Sequence, residues 1–206
     1  MHVFYQRHIE DHFDLTQEEA HHALRVLRLQ PGEKILVTDG NGTLAEAAID
    51  KTTKTVCHCS VAKLIKVPPP SFSFHLAIAP TKNIDRMEWL VEKCVEIGIS
   101  EISFMQTQHS ERKRVNSDRL LKVAISAMKQ SQQAWLPRLN PEADFNSILP
   151  CAAEQKFIAY VDATNPVYLA QAAKAGKSTL VMIGPEGDFA SEELTSALKH
   201  GFVKVS

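Results

Sequence analysis

The stretch from Thr179 to Gly201 constrains the chain most, because it reads as strand, tight turn and helix in direct succession. Thr179 to Ile183 is a short apolar run with the length and β-branched content of a buried parallel strand. Gly184-Pro185-Glu186-Gly187 then breaks the chain direction. Ser191 is the expected N-cap of the helix that follows. Glu192 and Glu193 stand where the helix dipole favours negative charge, Lys199 and His200 fall in the last turn, and Gly201 lies just past it. In an open α/β sheet, ligands bind at the carboxyl ends of strands like this one. The two glycines let the backbone approach such a ligand without a Cβ in the way. A turn of this kind also serves as a plain βα connection. It is neither a dinucleotide fingerprint nor a phosphate loop, since neither G-x-G-x-x-G nor Gly-Lys-Ser/Thr occurs within the turn. Glu186 would repel a phosphate, so a neutral or cationic ligand suits the turn better.

From Pro68 onward, strand and helix patterns alternate. Phe72 to Ala79, Ile102 to Gln106, Phe157 to Val161, Thr179 to Ile183 and Phe202 to Val205 read as five strands. Asp85 to Ile97 reads as a helix capped by Asp85, with Met87, Leu90, Val91, Cys94 and Val95 as its apolar stripe and Gly98 ending it. A longer helix starts at Ser117 or Asp118, buries Leu120, Leu121, Ala124, Met128 and Ser131, and ends before Pro137. Repeated βαβ units imply an α/β domain with a parallel sheet and helices on both faces.

The segment before Val67 has a different grammar. Thr16-Gln17-Glu18-Glu19 has the form of a capping box, and a helix is expected to run from it through Ala20, Ala23, Leu24 and Leu27. Glu33–Thr38 and Thr43–Asp50 alternate as strands around the turn Asp39-Gly40-Asn41-Gly42, and Thr55–Lys66 continues the pattern. Short strands around turns suggest a small β-barrel. Pro68-Pro69-Pro70 stiffens the chain after it, which places the domain boundary between residues 67 and 68, giving a barrel over 1–67 and an α/β domain over 68–206.

A formal net charge of −1 gives no global nucleic-acid signal, so any such signal is local. Arg112 to Arg138 carries one: seven basic residues, among them Arg112, Arg114 and Arg119, stand against one acid. A loop and helix of that charge form a candidate phosphate-backbone footprint, and Gln130 to Gln133 add neutral hydrogen-bonding groups suited to base edges. In the first domain Arg25 and Arg28 are three apart, on one face of a regular helix, and can grip phosphate or simply be solvated. Cys57, Cys59, Cys94 and Cys151 do not form a disulfide framework, and Cys57 and Cys59 simply share one strand face. No long apolar run and no signal-peptide pattern opens the chain, which implies a soluble, cytoplasmic protein with no membrane partner.

Several stretches together resemble one family. They are Ala23-Leu24-Arg25-Val26-Leu27-Arg28, Asp85 to Gly98, His109-Ser110-Glu111-Arg112, Lys129-Gln130-Ser131 and Ile183-Gly184-Pro185-Glu186-Gly187. The chain is similar, over nearly its whole length, to the ribosomal RNA small subunit methyltransferase E family. These are 16S rRNA uridine-N3 methyltransferases of the SPOUT superfamily. The resemblance implies an N-terminal PUA-like barrel that binds RNA and a C-terminal α/β domain with a trefoil knot. It further implies S-adenosylmethionine as cofactor, no metal, 16S rRNA in the small ribosomal subunit as partner, and a homodimer. Carried over by position, Asp162, Ile183, Gly184, Pro185, Glu186, Gly187, Val205 and Ser206 would line the cofactor pocket. Arg112 and Gln130 would be catalytic, with Ser131 near the target base, and Arg7, Arg25, Arg28, Arg112, Arg114 and Arg119 would hold RNA.

Two positions depart from the family pattern: Asp188 stands where a second Gly is usual, and Lys129 where an acid is usual. Family members also continue past the strand ending Val205-Ser206 into a segment that threads the knot. The resemblance therefore implies an incomplete pocket and weak methyl transfer in these 206 residues. For the reaction, the uracil N3 proton must leave before N3 can attack, and Arg112 is the candidate cation that stabilises the developing negative oxygens. No residue is an obvious base. The alternatives are a non-catalytic rRNA-binding protein with a remnant pocket and, less well supported without a phosphate loop, an unrelated nucleotide-binding enzyme.

Overall fold

The computed structural model describes residues 1–111, 114–161 and 167–206, and they form two compact units. In the N-terminal unit, β1 (Val3–Tyr5), β2 (His12–Asp14), β3 (Lys34–Thr38), β4 (Thr43–Thr52) and β5 (Cys57–Lys66) make one sheet in the order β1-β3-β4-β5-β2. β1 runs parallel to β3, and the other pairs are antiparallel. The alternation in β4 puts Ala45, Ala47 and Ile49 on the buried face with Ile35 and Val37 of β3, and Phe4, Phe13 and Leu15 join them in the core. β1 and β2 are three residues each, too short for a periodic signal, and sequence reasoning did not find them. All four cysteines are free. Cys57 and Cys59 lie buried on one face of β5 with their sulfurs 3.9 Å apart. Their mutual hydrogen bond and burial push the Cys59 thiol well above its ordinary range.

The first helix departs from expectation. α1 covers only Gln17–His21, with Thr16 as N-cap accepting from the Glu19 N–H at 3.4 Å, and a π-helical turn, His22–Val26, follows. The wider turn ends with Leu27 N–H donating to His22 O, and Arg28 takes the left-handed conformation at φ 58°. This lets Leu29 bury in the core, its N–H bonded to Ala23 O. Arg25 and Arg28 are both exposed but do not share a regular helical face, which corrects the spacing argument.

The second unit contains β6 (Phe74–Ile78), α2 (Ile84–Glu96), β7 (Glu101–Gln106), α3 (Ser117–Gln130), β8 (Arg138–Asp144), α4 (Phe145–Ile148), β9 (Gln155–Ala159), α5 (Leu169–Ala172), β10 (Thr179–Ile183), α6 (Ser191–Lys199) and β11 (Val203–Val205). The six strands among its described residues are all parallel, in the order β11-β9-β10-β6-β7-β8. Five had been expected. The sixth, β8, contains Pro141, which an interior strand would not accept; an edge position and a shift in register beside Ser103 and Met105 accommodate it. Asn83, not Asp85, caps α2, and Ala190, not Ser191, precedes α6. No helix among the described residues is long and apolar enough to cross a membrane.

The end of α3 and the residues after it, Ile125–Leu136, belong to the N-terminal unit. Gly42 N–H donates to Ala134 O at 2.8 Å, Leu136 N–H to Gly40 O at 2.9 Å, and the Trp135 indole to the carbonyls of Val67 and Pro68 at 3.2 and 3.1 Å. The hairpin turn Asp39–Gly42 is thus bridged to a segment almost a hundred residues away.

A polar cluster sits near the start of β6, β7 and β8. His75 Nε2 lies 2.7 Å from Ser103 Oγ, and Glu101 accepts from Arg138 and Asn140, both at 2.6 Å. Burial holds the His75 imidazole below its ordinary value, with the Glu101 carboxylate opposing and Arg138 assisting. Burial acts to raise the Glu101 carboxyl, but hydrogen bonds from Asn140 and Arg138, with the charges of His75 and Arg138, leave it lowered. Below a pH of about 6.5 the unfolded histidine binds a proton that the folded one resists, so stability is present above that pH and declines as pH falls. The Glu101 contribution is lost in the same direction, at lower pH. Melting temperatures of wild type and His75→Gln between pH 7.5 and 5 are expected to converge as pH falls. Parallel curves would rule out His75 as a source of the acid sensitivity.

Candidate active site

Because all six strands of the second unit are parallel, their carboxyl ends share one edge. β10 is buried along its length until Ile183, which is 36% exposed at the rim. In the register, Ile183 pairs with Ala159, and Ala159 pairs with Val205, so Ile183 and Val205 stand level with one strand between them. Val205 is buried and accepts from Tyr160 N–H at 2.8 Å, while Ser206 is exposed and its N–H donates to Val167 O at 2.7 Å.

The turn after β10 is built on Phe189. A Cβ added to Gly184 would lie 2.9 Å from the Phe189 ring, so only glycine lets the backbone lie flat on it. Phe189 is buried against Phe145, with ring centroids 5.9 Å apart. Pro185 is buried, and its carbonyl accepts from Asp188 N–H at 3.0 Å. Asp188 holds φ 60°, a conformation that aspartate tolerates better than most residues, and its carboxylate accepts from Phe189 N–H at 2.8 Å. Glu186 and Gly187 remain exposed.

The loop after β7 braces this turn. His109 Nδ1 lies 3.1 Å from Asp188 O; a carbonyl only accepts, so Nδ1 carries the proton. One Glu193 oxygen accepts from Gln108 N–H and the other from Ala190 N–H, each at 2.9 Å. Sequence reasoning placed Glu193 only as a charge at a helix start and gave His109 no role; contacts between distant loops leave no local signal. Beside them a cleft of about 790 Å³ opens among Gln106, Gln108, Asp144, Asn146, Glu192 and Ser196. Its lining does not include Ile183–Gly187, so the cleft and the turn are neighbouring features.

Ile183, Gly184, Pro185, Glu186, Gly187 and Val205 therefore come together at one sheet edge, with Ser206 next to Val205. Arg112 and Asp162 lie outside the described residues. Gln130, exposed at the end of α3, lies in the segment that belongs to the N-terminal unit. Arg7, Arg25, Arg28 and Arg114 are exposed, whereas Arg119 is ion-paired with Glu88.

This two-part architecture has known counterparts. An RNA methyltransferase domain matches residues 68–206, and an RNA methyltransferase PUA domain matches residues 15–61. A probable rRNA-methyltransferase from Porphyromonas gingivalis is 40% identical and superposes with a TM-score of 0.93, over 100% of this chain and 89% of that one. The ribosomal RNA small subunit methyltransferase E of Synechocystis is 27% identical, over 96% of this chain and 67% of the relative. The chain belongs to the ribosomal RNA small subunit methyltransferase E family. Its N-terminal unit is PUA-like and its parallel α/β unit is of the SPOUT type. The same fold is seen in the Neisseria gonorrhoeae ribosomal RNA small subunit methyltransferase E bound to S-adenosyl methionine, at 22% identity and a TM-score of 0.87, over 100% of this chain and 88% of that one.

Proposed function

We propose that this family member transfers a methyl group from S-adenosylmethionine to N3 of a uridine in the 16S rRNA of the small ribosomal subunit, acting in the cytoplasm as a homodimer. The observation that carries the reading is the Ile183–Gly187 turn, laid open at the carboxyl edge of a parallel sheet, in a chain matched over residues 68–206 by an RNA methyltransferase domain.

The residues at that edge fit the cofactor. Ile183 offers an exposed apolar edge, Gly187 keeps the backbone approachable, and the exposed Glu186 carboxylate favours a cation over a phosphate. When bound, S-adenosylmethionine supplies an electrophilic methyl group on a positively charged sulfur. Ile183, Gly184, Pro185, Glu186 and Gly187 would hold it together with Val205 and Ser206, and Asp162 is proposed as a further cofactor ligand. Arg112 would stabilise the negative charge that spreads to the uracil oxygens as N3 gives its proton to solvent water, and Gln130 would orient the base through its amide. Alignment of nitrogen and methyl donor accounts for the remainder of the catalysis.

Incubation with small subunits that lack the modification, labelled S-adenosylmethionine and subsequent nucleoside digestion is expected to yield 3-methyluridine. Label on another atom would overturn the position, and no label would overturn the activity. RNA affinity is expected to fall steeply with salt, and removing the charges of Arg25 and Arg28 should flatten that dependence by about one unit each. Arg119, already paired with Glu88, should contribute less. A slope unchanged by the Arg25/Arg28 double substitution would remove the N-terminal unit from the footprint.

A further inference from the structure

We infer that the ion pair between Glu19 and Lys129 is a positioning device that fixes Gln130 and Ser131 for the RNA target. The inference rests on the methyltransferase reading of those two residues.

Lys129 Nζ lies 2.6 Å from Glu19 Oε1, and the two side chains are only 19% and 8% exposed. The same oxygen accepts from Tyr5 N–H at 3.3 Å. Glu19 is the third residue of α1, the place from which a capping-box glutamate turns back to its own N-cap. Here the carboxylate reaches instead toward a lysine 110 positions later in the chain. The other oxygen, Oε2, is buried with no hydrogen-bond partner among the described residues. A buried pair with an orphaned oxygen is a poor stabiliser compared with two packed apolar side chains, and the best-attested use of such pairs is to set register. Register is what the following residues need.

Gln130 directly follows Lys129, and the helix closes there in a defined way. Gln132 takes φ 54°, its N–H donates to Lys129 O at 3.3 Å, Gln133 N–H donates to Met128 O at 3.0 Å, and Ser131 Oγ donates to Ala127 O at 2.7 Å. Beyond it, Ala134 and Leu136 are bonded to Gly42 and Gly40. The segment Gln130–Gln133 is thus held by an ion pair on one side and a backbone bridge on the other, with Gln130 and Gln132 exposed between them. The bridge ties down Ala134 and Leu136, and the Glu19 carboxylate adds a tie at Lys129, next to Gln130.

The test compares wild type, Glu19→Gln, Lys129→Met and the exchange Glu19→Lys/Lys129→Glu for methyl transfer to small subunits and for binding to them. Glu19→Gln removes a negative charge, so bulk electrostatics alone would tighten RNA binding. Positioning gives the opposite sign: Kd and KM for small subunits should rise about tenfold with kcat and S-adenosylhomocysteine affinity little changed. The exchange should bring both back to within about threefold of wild type. If the single variants fold poorly, Glu19→Gln/Lys129→Met, which removes both charges, is expected to restore the melting temperature and keep the raised Kd. Unmoved Kd and KM in Glu19→Gln, or an exchange that restores melting but not Kd, would overturn the inference. No methyl transfer by wild type would overturn the functional reading instead, while the binding series would still decide the role of the pair.

Discussion

Gly184→Val loses both cofactor binding and stability. The first valine carbon would come within 2.9 Å of the Phe189 ring, and that ring cannot retreat because it is buried against Phe145. Overpacking of this kind costs about 1–3 kcal/mol, and S-adenosylhomocysteine affinity should fall at least about tenfold as the turn shifts. Loss of binding in a destabilised variant is ambiguous by itself, so Gly187→Ala is the necessary companion. Its new carbon would meet His109 at 3.4 Å, an ordinary contact, and its backbone lies outside the left-handed region. Gly187→Ala should therefore keep the wild-type melting temperature within about 2 °C while weakening the titration with S-adenosylhomocysteine. Calorimetry on both variants decides the matter. Full affinity in Gly187→Ala would move the cofactor away from this turn.

Gly42→Ala should be the most destabilising small substitution in the chain. Gly42 sits at φ 86°, where an L side chain costs about 1–2 kcal/mol. The added carbon would lie 2.8 Å from Trp135 Cε2 and 2.9 Å from Val67 O, and that carbonyl also accepts from the Trp135 indole. Strain and overlap together come to roughly 2–5 kcal/mol, or a melting temperature lower by about 4–20 °C for a chain of this size. Gly32→Ala is the control: it is also left-handed, at φ 93°, but nothing lies within 4 Å of the added carbon. It should show the backbone cost alone. Equal losses at the two sites would mean that the Trp135 contact contributes nothing.

The parallel sheet was legible because its interior strands are long apolar runs, as Thr179–Ile183 shows, and because Gly184–Gly187 interrupts one of them abruptly. β8 was hidden by Pro141, which argues against an interior strand and is harmless at an edge. Gly40 and Gly42 announced the hairpin correctly, but not that Leu136 packs beside Gly40 and Trp135 fills the space the missing Gly42 side chain leaves. Glu19 shows the limit most clearly. Thr16-Gln17-Glu18-Glu19 is locally a capping box, and the Thr16 half forms, yet the half-buried Lys129 captures the glutamate. Local chemistry predicts what a side chain can do; tertiary proximity selects among those options. The π-helical turn at His22–Val26 follows the same rule, since it is the burial of Leu29, not helix propensity, that the extra residue serves.

The bridging of Gly40 and Gly42 to Ala134 and Leu136 also sets a timetable. A ribosome releases the N-terminal unit in two instalments, residues 1–69 first and its last segment, Ile125–Leu136, only after most of the intervening chain has emerged. At about 5–20 residues per second, the 67 residues from Pro70 to Leu136 take roughly 3–13 s to synthesise. During that interval the Asp39–Gly42 hairpin lacks its tryptophan lid and the Glu19 carboxylate lacks its lysine. The nascent chain therefore passes through a stage in which its first-made unit is open to proteases and chaperones, and it is sealed only when the second unit is already under way.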